Sequence, residues 1–354
     1  MKILLTGGAG VVGVPLIEKL SARHEVVALA HRRPVAGAAH TVRGDITAPG
    51  LGLDTEDTAR VLDGLDVVIH CAANVDFAAG WESLKAINVT GTQRVLDLAV
   101  AAGARVVHVS TAFVELDPPE DITGGHATLL PAQYLAAKRL GEAEVRGSGL
   151  KHTIVRPSAV GGHSRTGAIT EFQGVHSISR ALLKGSIPLF LCAASSRFDL
   201  VPCDAVAGLV AAVAELEDAP ELAWATIGPN SITAERLLRV LDGIFEEYGL
   251  PRRGPRRADP EIFERLLKPA FFDELPASDK TKMANLMTTL ASLFQPDPMP
   301  TSLGTIPGAP AAYSAAEAEE IMRITYRTVI AHDGMAPARV APEPNEPERN
   351  EVMV

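Results

Sequence analysis

Tyr134-Leu135-Ala136-Ala137-Lys138 sets a phenol and an ammonium four residues apart, which on a helix puts both on one face. A phenol with a pKa of about 10 is a weak acid–base catalyst at neutral pH. An ammonium about 4 Å away, at an effective dielectric of about 20, favours the phenolate by roughly 4 kcal/mol. That would bring the phenol into working range. The chemistry of such a pair is proton transfer to or from an oxygen.

A second pattern supplies a reaction partner. Thr6-Gly7-Gly8-Ala9-Gly10-Val11-Val12-Gly13 fits G-x-G-x-x-G through Gly8, Gly10 and Gly13, and T-G-x-x-G-x-x-G through Thr6, Gly7, Gly10 and Gly13. The early glycines permit a tight strand-to-helix turn, Gly10 lets the backbone approach a pyrophosphate, and Gly13 lets the helix pack close to a sheet. The helix N-terminus offers free N–H groups and a positive dipole end to phosphates. Alone the motif is weak, but here it follows a strand pattern and opens a helix pattern, the context a dinucleotide site requires.

An acid about 20 residues past the loop would mark NAD through the ribose 2′-OH. The second strand instead ends in Ala30-His31-Arg32-Arg33-Pro34. Guanidinium forks match phosphate oxygens, so the pattern favours NADPH over NAD, with two solvated surface arginines as the plain alternative. In the reductive direction Tyr134 then protonates the oxygen that receives the hydride's electron pair.

The elements that position these residues alternate. Strand patterns fall at 2–6, 25–30, 66–70, 105–109 and 152–156, and helical patterns at 11–22, 82–102 and 134–147. Alternation implies parallel βαβ units: an α/β fold, a Rossmann doubly wound parallel sheet with helices on both faces. We expect residues 1–157 to form the NADP-binding domain, with part of 198–232 returning to it. Residues 158–197 and 233–332 form a smaller, mostly helical C-terminal substrate region. Residues 333–354, rich in proline and charge, are expected to be a disordered tail.

Composition narrows the function. A net charge of −10 argues against nucleic acid. No stretch is apolar enough for a membrane span and no signal peptide is visible, so a cytoplasmic protein is expected. Cys71, Cys192 and Cys203 lack the spacing of a disulfide framework or a zinc site, and no metal is expected.

In order along the chain, several further segments resemble the extended short-chain dehydrogenase/reductase family. They are Gly44-Asp45-Ile46-Thr47, His70-Cys71-Ala72-Ala73, Asn88-Val89-Thr90-Gly91-Thr92, Val109-Ser110-Thr111-Ala112 and Arg156-Pro157-Ser158-Ala159-Val160-Gly161. With the glycine loop and the Tyr134/Lys138 pair they span about the first half. The resemblance implies that Thr111, Tyr134 and Lys138 are catalytic. It implies cofactor contacts from Thr6, Gly7, Gly10, Val11, Val12, Gly13, His31, Arg32, Arg33, Asp45, Ile46, Ala72, Ala73, Asn74, Asn88, Tyr134, Lys138, Pro157, Ser158 and Val160. Many members carry Ser where Thr111 stands; the hydroxyl is kept. Ser110 is adjacent, but strand alternation turns it to the other face. A homodimer through helices near 85–102 and 134–147 is a further implication.

Arg156 through Gly167, with Phe172-Gln173-Gly174 and Asp199-Leu200-Val201-Pro202-Cys203-Asp204, is similar to the thioester reductase and fatty acyl-CoA reductase branch. This implies reduction of a carbonyl or of a small-molecule or carrier-bound acyl thioester. Arg165 and Lys184 could meet a CoA or phosphopantetheine phosphate, though both read better as surface charges. His126, His163 and His176 read as solvated loop residues. Two other readings stay open: a nucleotide-sugar epimerase or dehydratase with bound NAD, and a non-catalytic NADP-sensing regulator.

Overall fold

Short aliphatic runs build one parallel sheet from β1 (Lys2–Thr6), β2 (Glu25–Ala30), β3 (His40–Arg43), β4 (Leu65–His70), β5 (Arg105–Val109), β6 (His152–Pro157) and an edge strand, Leu222–Ala225. In this computed structural model residues 1–77, 79–115, 131–172, 174–187, 189–251 and 254–335 are described. The order across the seven strands is Leu222–Ala225, β6, β5, β4, β1, β2, β3, and every neighbouring pair is parallel. Period-two alternation sends Ile3 and Leu5 into one apolar cluster and Leu4 into another across the sheet. Helices Gly13–Leu20 and Cys203–Glu215 cover the first face. Thr92–Ala102 covers the second. The strand order reverses between β1 and β4, which opens a crevice at their carboxyl ends.

Three elements escape the sequence pattern: β3, helix Thr55–Leu62, and a break in the expected helix over 82–102. That stretch is Trp81–Lys85, a π-helical turn Ala86–Gly91, and Thr92–Ala102. The turn holds Asn88, whose side chain donates to the Asn74 carbonyl at 2.9 Å and accepts from the Asn74 amide at 2.8 Å. A side chain serving as a backbone partner has no hydrophobic period, so pattern reading passes over it.

The C-terminal region packs helices Val175–Leu183, Ala234–Glu247, Ala277–Leu293 and Ala315–Asp333 around Phe190, Phe198, Phe245 and Tyr326. Thr233 caps the second of these, and a Ser314/Glu317 capping box opens the last. That helix runs to Asp333, the first residue of the expected tail. Gly334 takes the left-handed conformation that ends it, and Asp333 accepts from Arg180 at 2.7 and 2.8 Å. Residues 336–354, His126 and Gln173 lie outside the described residues. No helix among the described residues is long and apolar enough to cross a membrane.

Candidate active site

The glycine loop has the geometry of a cradle. Gly7 sits at φ +76°, and a Cβ there would come within 2.6 Å of the Ala72 amide nitrogen. A Cβ on Gly13 would lie 2.1 Å from the Gly7 carbonyl oxygen, so only glycine lets helix Gly13–Leu20 start this close to β1. No side chain caps this helix; the Val14 amide donates to the Gly10 carbonyl and Pro15 has no N–H, so the amides a phosphate could take are those of residues 11–13. Backbone packed to this limit, with uncapped amides, fits a pyrophosphate.

Thr6 and His70 lock the loop to β4. The Ala72 amide donates to Thr6 Oγ1 at 3.2 Å, and Thr6 Oγ1 lies 2.7 Å from His70 Nδ1. Thr92 Oγ1 donates to the Asn88 carbonyl and lies 3.1 Å from His70 Nε2. Thr92 has one proton and spends it on Asn88, so His70 must donate from Nε2 and accept from Thr6 at Nδ1. The ring is therefore neutral, and burial, assisted by the Lys138 charge, lowers its pKa to about 3.

At the far end of the crevice His31, Arg32 and Arg33 are exposed. His31 lies 3.5 Å from Asp45, whose carboxylate accepts from the Thr47 amide and hydroxyl at 2.8 and 2.7 Å. Those bonds hold its pKa below the usual carboxylate value. Ile46 is buried against Gly91. Arg33 reaches Glu171 at 2.8 Å.

Thr111, Tyr134 and Lys138 come together, all buried, where β5 ends and helix Pro131–Gly147 passes. The Thr111 side chain interacts with the Tyr134 phenol, whose ring packs on Phe77 at 4.9 Å between centroids. Lys138 Nζ donates to the Val109 carbonyl at 2.9 Å. One expectation is corrected here. The sequence argument has Lys138 pulling the phenol pKa down; instead burial raises the phenol, with the Thr111 bond the only opposing influence. Burial lowers Lys138 itself to about 8, against the pull of Cys71 and Glu142. Its ammonium is hydrogen-bonded to the β5 carbonyl, and burial of the phenol is the larger influence on Tyr134.

Ser110 turns its buried hydroxyl toward Glu142 and away from Tyr134, as alternation requires. Ser158 gives its hydroxyl to Asp199 Oδ1, so it can offer a ligand only backbone. Asp199 also accepts from the Ile227 and Gly228 amides. Pro157 accepts from Thr111 Oγ1 at 3.4 Å, and Val160 pairs with Val201. The expectation for His176 is also corrected: the ring is buried on helix Val175–Leu183, edge-on to Phe172. Its apolar neighbours hold the helix face that periodicity did not resolve. His163 is half-buried 3.8 Å from Asp204, Arg165 is exposed, and Lys184 pairs with Asp333 at 3.4 Å.

Sequence reasoning missed a buried ion pair behind the site. Arg156 holds Glu142 through two bonds, Nε to Oε1 at 2.9 Å and Nη2 to Oε2 at 2.7 Å. Arg156 also meets Glu115 and lies over the Trp224 ring at 5.1 Å. Burial alone would raise the Glu142 carboxyl, but Arg156 outweighs it and the pKa falls below the ordinary value. The signal was the continuing four-residue repeat: Tyr134, Lys138, Glu142.

The family model described as male sterility protein, an NAD-binding family, matches residues 30–210, just over half of the chain. A PKS-NRPS hybrid synthetase of Chaetomium globosum, cheA, is 31% identical over 191 residues, which cover 46% of this chain and 4% of that protein. Fatty acyl-CoA reductase 1 of Xenopus laevis is 29% identical over 208 residues, 49% of this chain and 40% of the relative. The chain thus spans less than half the length of either. The terminal R domain from the myxalamid PKS-NRPS pathway shares the fold, with a TM-score of 0.68 and 24% identity over 95% of this chain and 92% of that one. The chain belongs to the male sterility protein family, the thioester reductase and fatty acyl-CoA reductase-like branch of the extended short-chain dehydrogenase/reductases.

Proposed function

We propose that the chain is an NADPH-dependent reductase of a carbonyl or acyl thioester, with Tyr134 as proton donor. The observation that carries the reading is the burial of Tyr134, Thr111 and Lys138 together, at the end of the crevice that begins in the glycine cradle. Bound NADPH supplies the hydride. Thr111 and Tyr134 hold the substrate carbonyl oxygen from one side, and Tyr134 Oη gives it a proton as the carbon is reduced. The phenol carries its proton at neutral pH, as a donor must, though burial also makes it a weaker acid than an exposed tyrosine. Lys138 keeps its charge below a pH of about 8 and is placed to hold the cofactor ribose. With a thioester, hydride addition and protonation give a hemithioacetal; loss of the thiol leaves an aldehyde, and a second hydride and proton give an alcohol. His31, Arg32 and Arg33 would receive the 2′-phosphate.

The relatives' names support an acyl substrate, either on CoA or on a carrier. Val100 and Leu140 are exposed apolar residues on helices Thr92–Ala102 and Pro131–Gly147, a surface for a second copy. The test mixes purified protein with NADPH and a panel of acyl-CoAs, aldehydes and ketones, followed at the reduced-nicotinamide absorbance. Turnover with at least one carbonyl is expected, and Tyr134→Phe abolishes it while NADPH binding persists. Tightly copurified NAD with no turnover would show an epimerase or sensor instead. Turnover surviving in Tyr134→Phe would remove the donor assignment.

A further inference from the structure

The acid missing from the end of β2 is supplied from elsewhere. Glu171 lies on the segment that leaves β6, yet its carboxylate reaches Arg33 at 2.8 Å, across 138 residues of sequence. The segment is pinned on both sides of Glu171. Upstream, Ser164 donates its amide and hydroxyl to Asp204, and the Gly167 amide closes a turn on His163. Downstream, Phe172 sits among the rings of His176 and His332 and under the Arg180 guanidinium. Among the described residues Glu171 has no other hydrogen bond or ion pair. The Arg33–Glu171 pair therefore ties the substrate-side segment to the adenine end of the crevice.

We propose that Glu171 is a cofactor-discriminating residue: its carboxylate holds on Arg33 the place a 2′-phosphate takes. This rests on the NADPH reading above. A phosphate monoester near pH 7 carries more charge than a carboxylate and offers three acceptor oxygens, so it displaces Glu171 and then repels it. NADPH binding exchanges one anion for the other and releases residues 169–171. A ribose 2′-OH is uncharged and leaves the pair standing, so NADH binds with the segment still tied. The cofactor's identity is thereby reported to the mouth of the substrate region.

The test is Glu171→Gln in the full chain, a change at an exposed side chain. Calorimetric dissociation constants are measured for NADPH and NADH, and hydrogen exchange is followed in peptides covering 166–172. An exposed ion pair contributes about 0.2–1 kcal/mol, so the variant should bind NADPH about one and a half to five times tighter, with NADH changed less. In the wild type NADPH should speed exchange in 166–172 and NADH should not; in the variant exchange is already fast without ligand. NADPH bound no better by Glu171→Gln than by wild type, or NADPH slowing exchange in the wild type, overturns the role of Glu171 alone. Wild-type protein that binds NADH and not NADPH overturns the cofactor reading and this inference with it.

Discussion

Replacing Arg156 with methionine should expose how the catalytic helix is held. Arg156 and Glu142 are 5% and 2% exposed, and two short bonds join them. With the guanidinium gone, Glu142 keeps only Arg146, at 2.8 Å but half in solvent, and the neighbouring Ser110. Breaking a buried pair from one side costs about 3–5 kcal/mol, because the remaining charge stays desolvated. Against a total stability of about 5–15 kcal/mol, that is a large share. The double variant Arg156→Met/Glu142→Leu removes both charges and should recover about 2–3 kcal/mol of the loss. Urea unfolding followed by circular dichroism gives the whole cycle. A second readout tests the link to chemistry. Glu142 sits four residues past Lys138 and supports its charge, so Glu142→Gln should move the fall in NADPH affinity from about pH 8 to lower pH. If Arg156→Met costs less than about 1 kcal/mol, or the two single losses simply add, the pair is not a buried strut.

Further outcomes follow from the same geometry. Gly13→Ala forces a methyl into the Gly7 carbonyl and should abolish cofactor binding in calorimetry while the far C-terminal core still melts cooperatively. Arg32→Glu should weaken NADPH by about 1.5–3 kcal/mol, the worth of a charged hydrogen bond, and NADH by much less; equal losses would remove the 2′-phosphate argument. The buried rings of His70 and His108 predict acid sensitivity. Unfolded, each takes a proton at about pH 6.5; folded, His70 resists until about 3 and His108 is also held well below its ordinary value. The unfolded state therefore binds more protons in between, and stability present above about pH 6.5 is lost as pH falls toward 3. At pH 5 the His70 ring alone removes about 2 kcal/mol, and His108 acts in the same direction. Among the described residues neither ring nitrogen of His108 has a hydrogen-bond partner, so His108→Leu should stabilise by about 1 kcal/mol at pH 7 and by more at pH 5. A variant with an unchanged acid limb would show that this ring does not set it.

The parallel sheet was legible because strands covered on both faces read as continuous aliphatic runs, and the glycine cradle because its backbone tolerates no Cβ. β3, His40–Arg43, was not: only Val42 in it is buried, so an edge strand with one apolar residue carries no period. Helix Cys203–Glu215 is buried along most of its length and shows no amphipathic stripe. Thr111, Tyr134 and Lys138 were legible as residue types at a spacing. Glu142 and Glu171 were not, since each acts through a partner distant in sequence: Arg156 fourteen residues on, Arg33 in the loop after β2.

The Tyr134–Lys138 spacing shows where such reading needs the structure. Four residues on one helix face place two groups within reach, but reach is not interaction. Lys138 is drawn to the Val109 carbonyl because a buried ammonium needs acceptors and a phenol hydroxyl offers a poorer one. The ammonium is anchored to the strand, and Glu142, itself paired with Arg156, stands behind it. Burial then governs the phenol and keeps it protonated. On the proposed reading the donor starts protonated, and desolvation makes it hold that proton more tightly than an exposed phenol does.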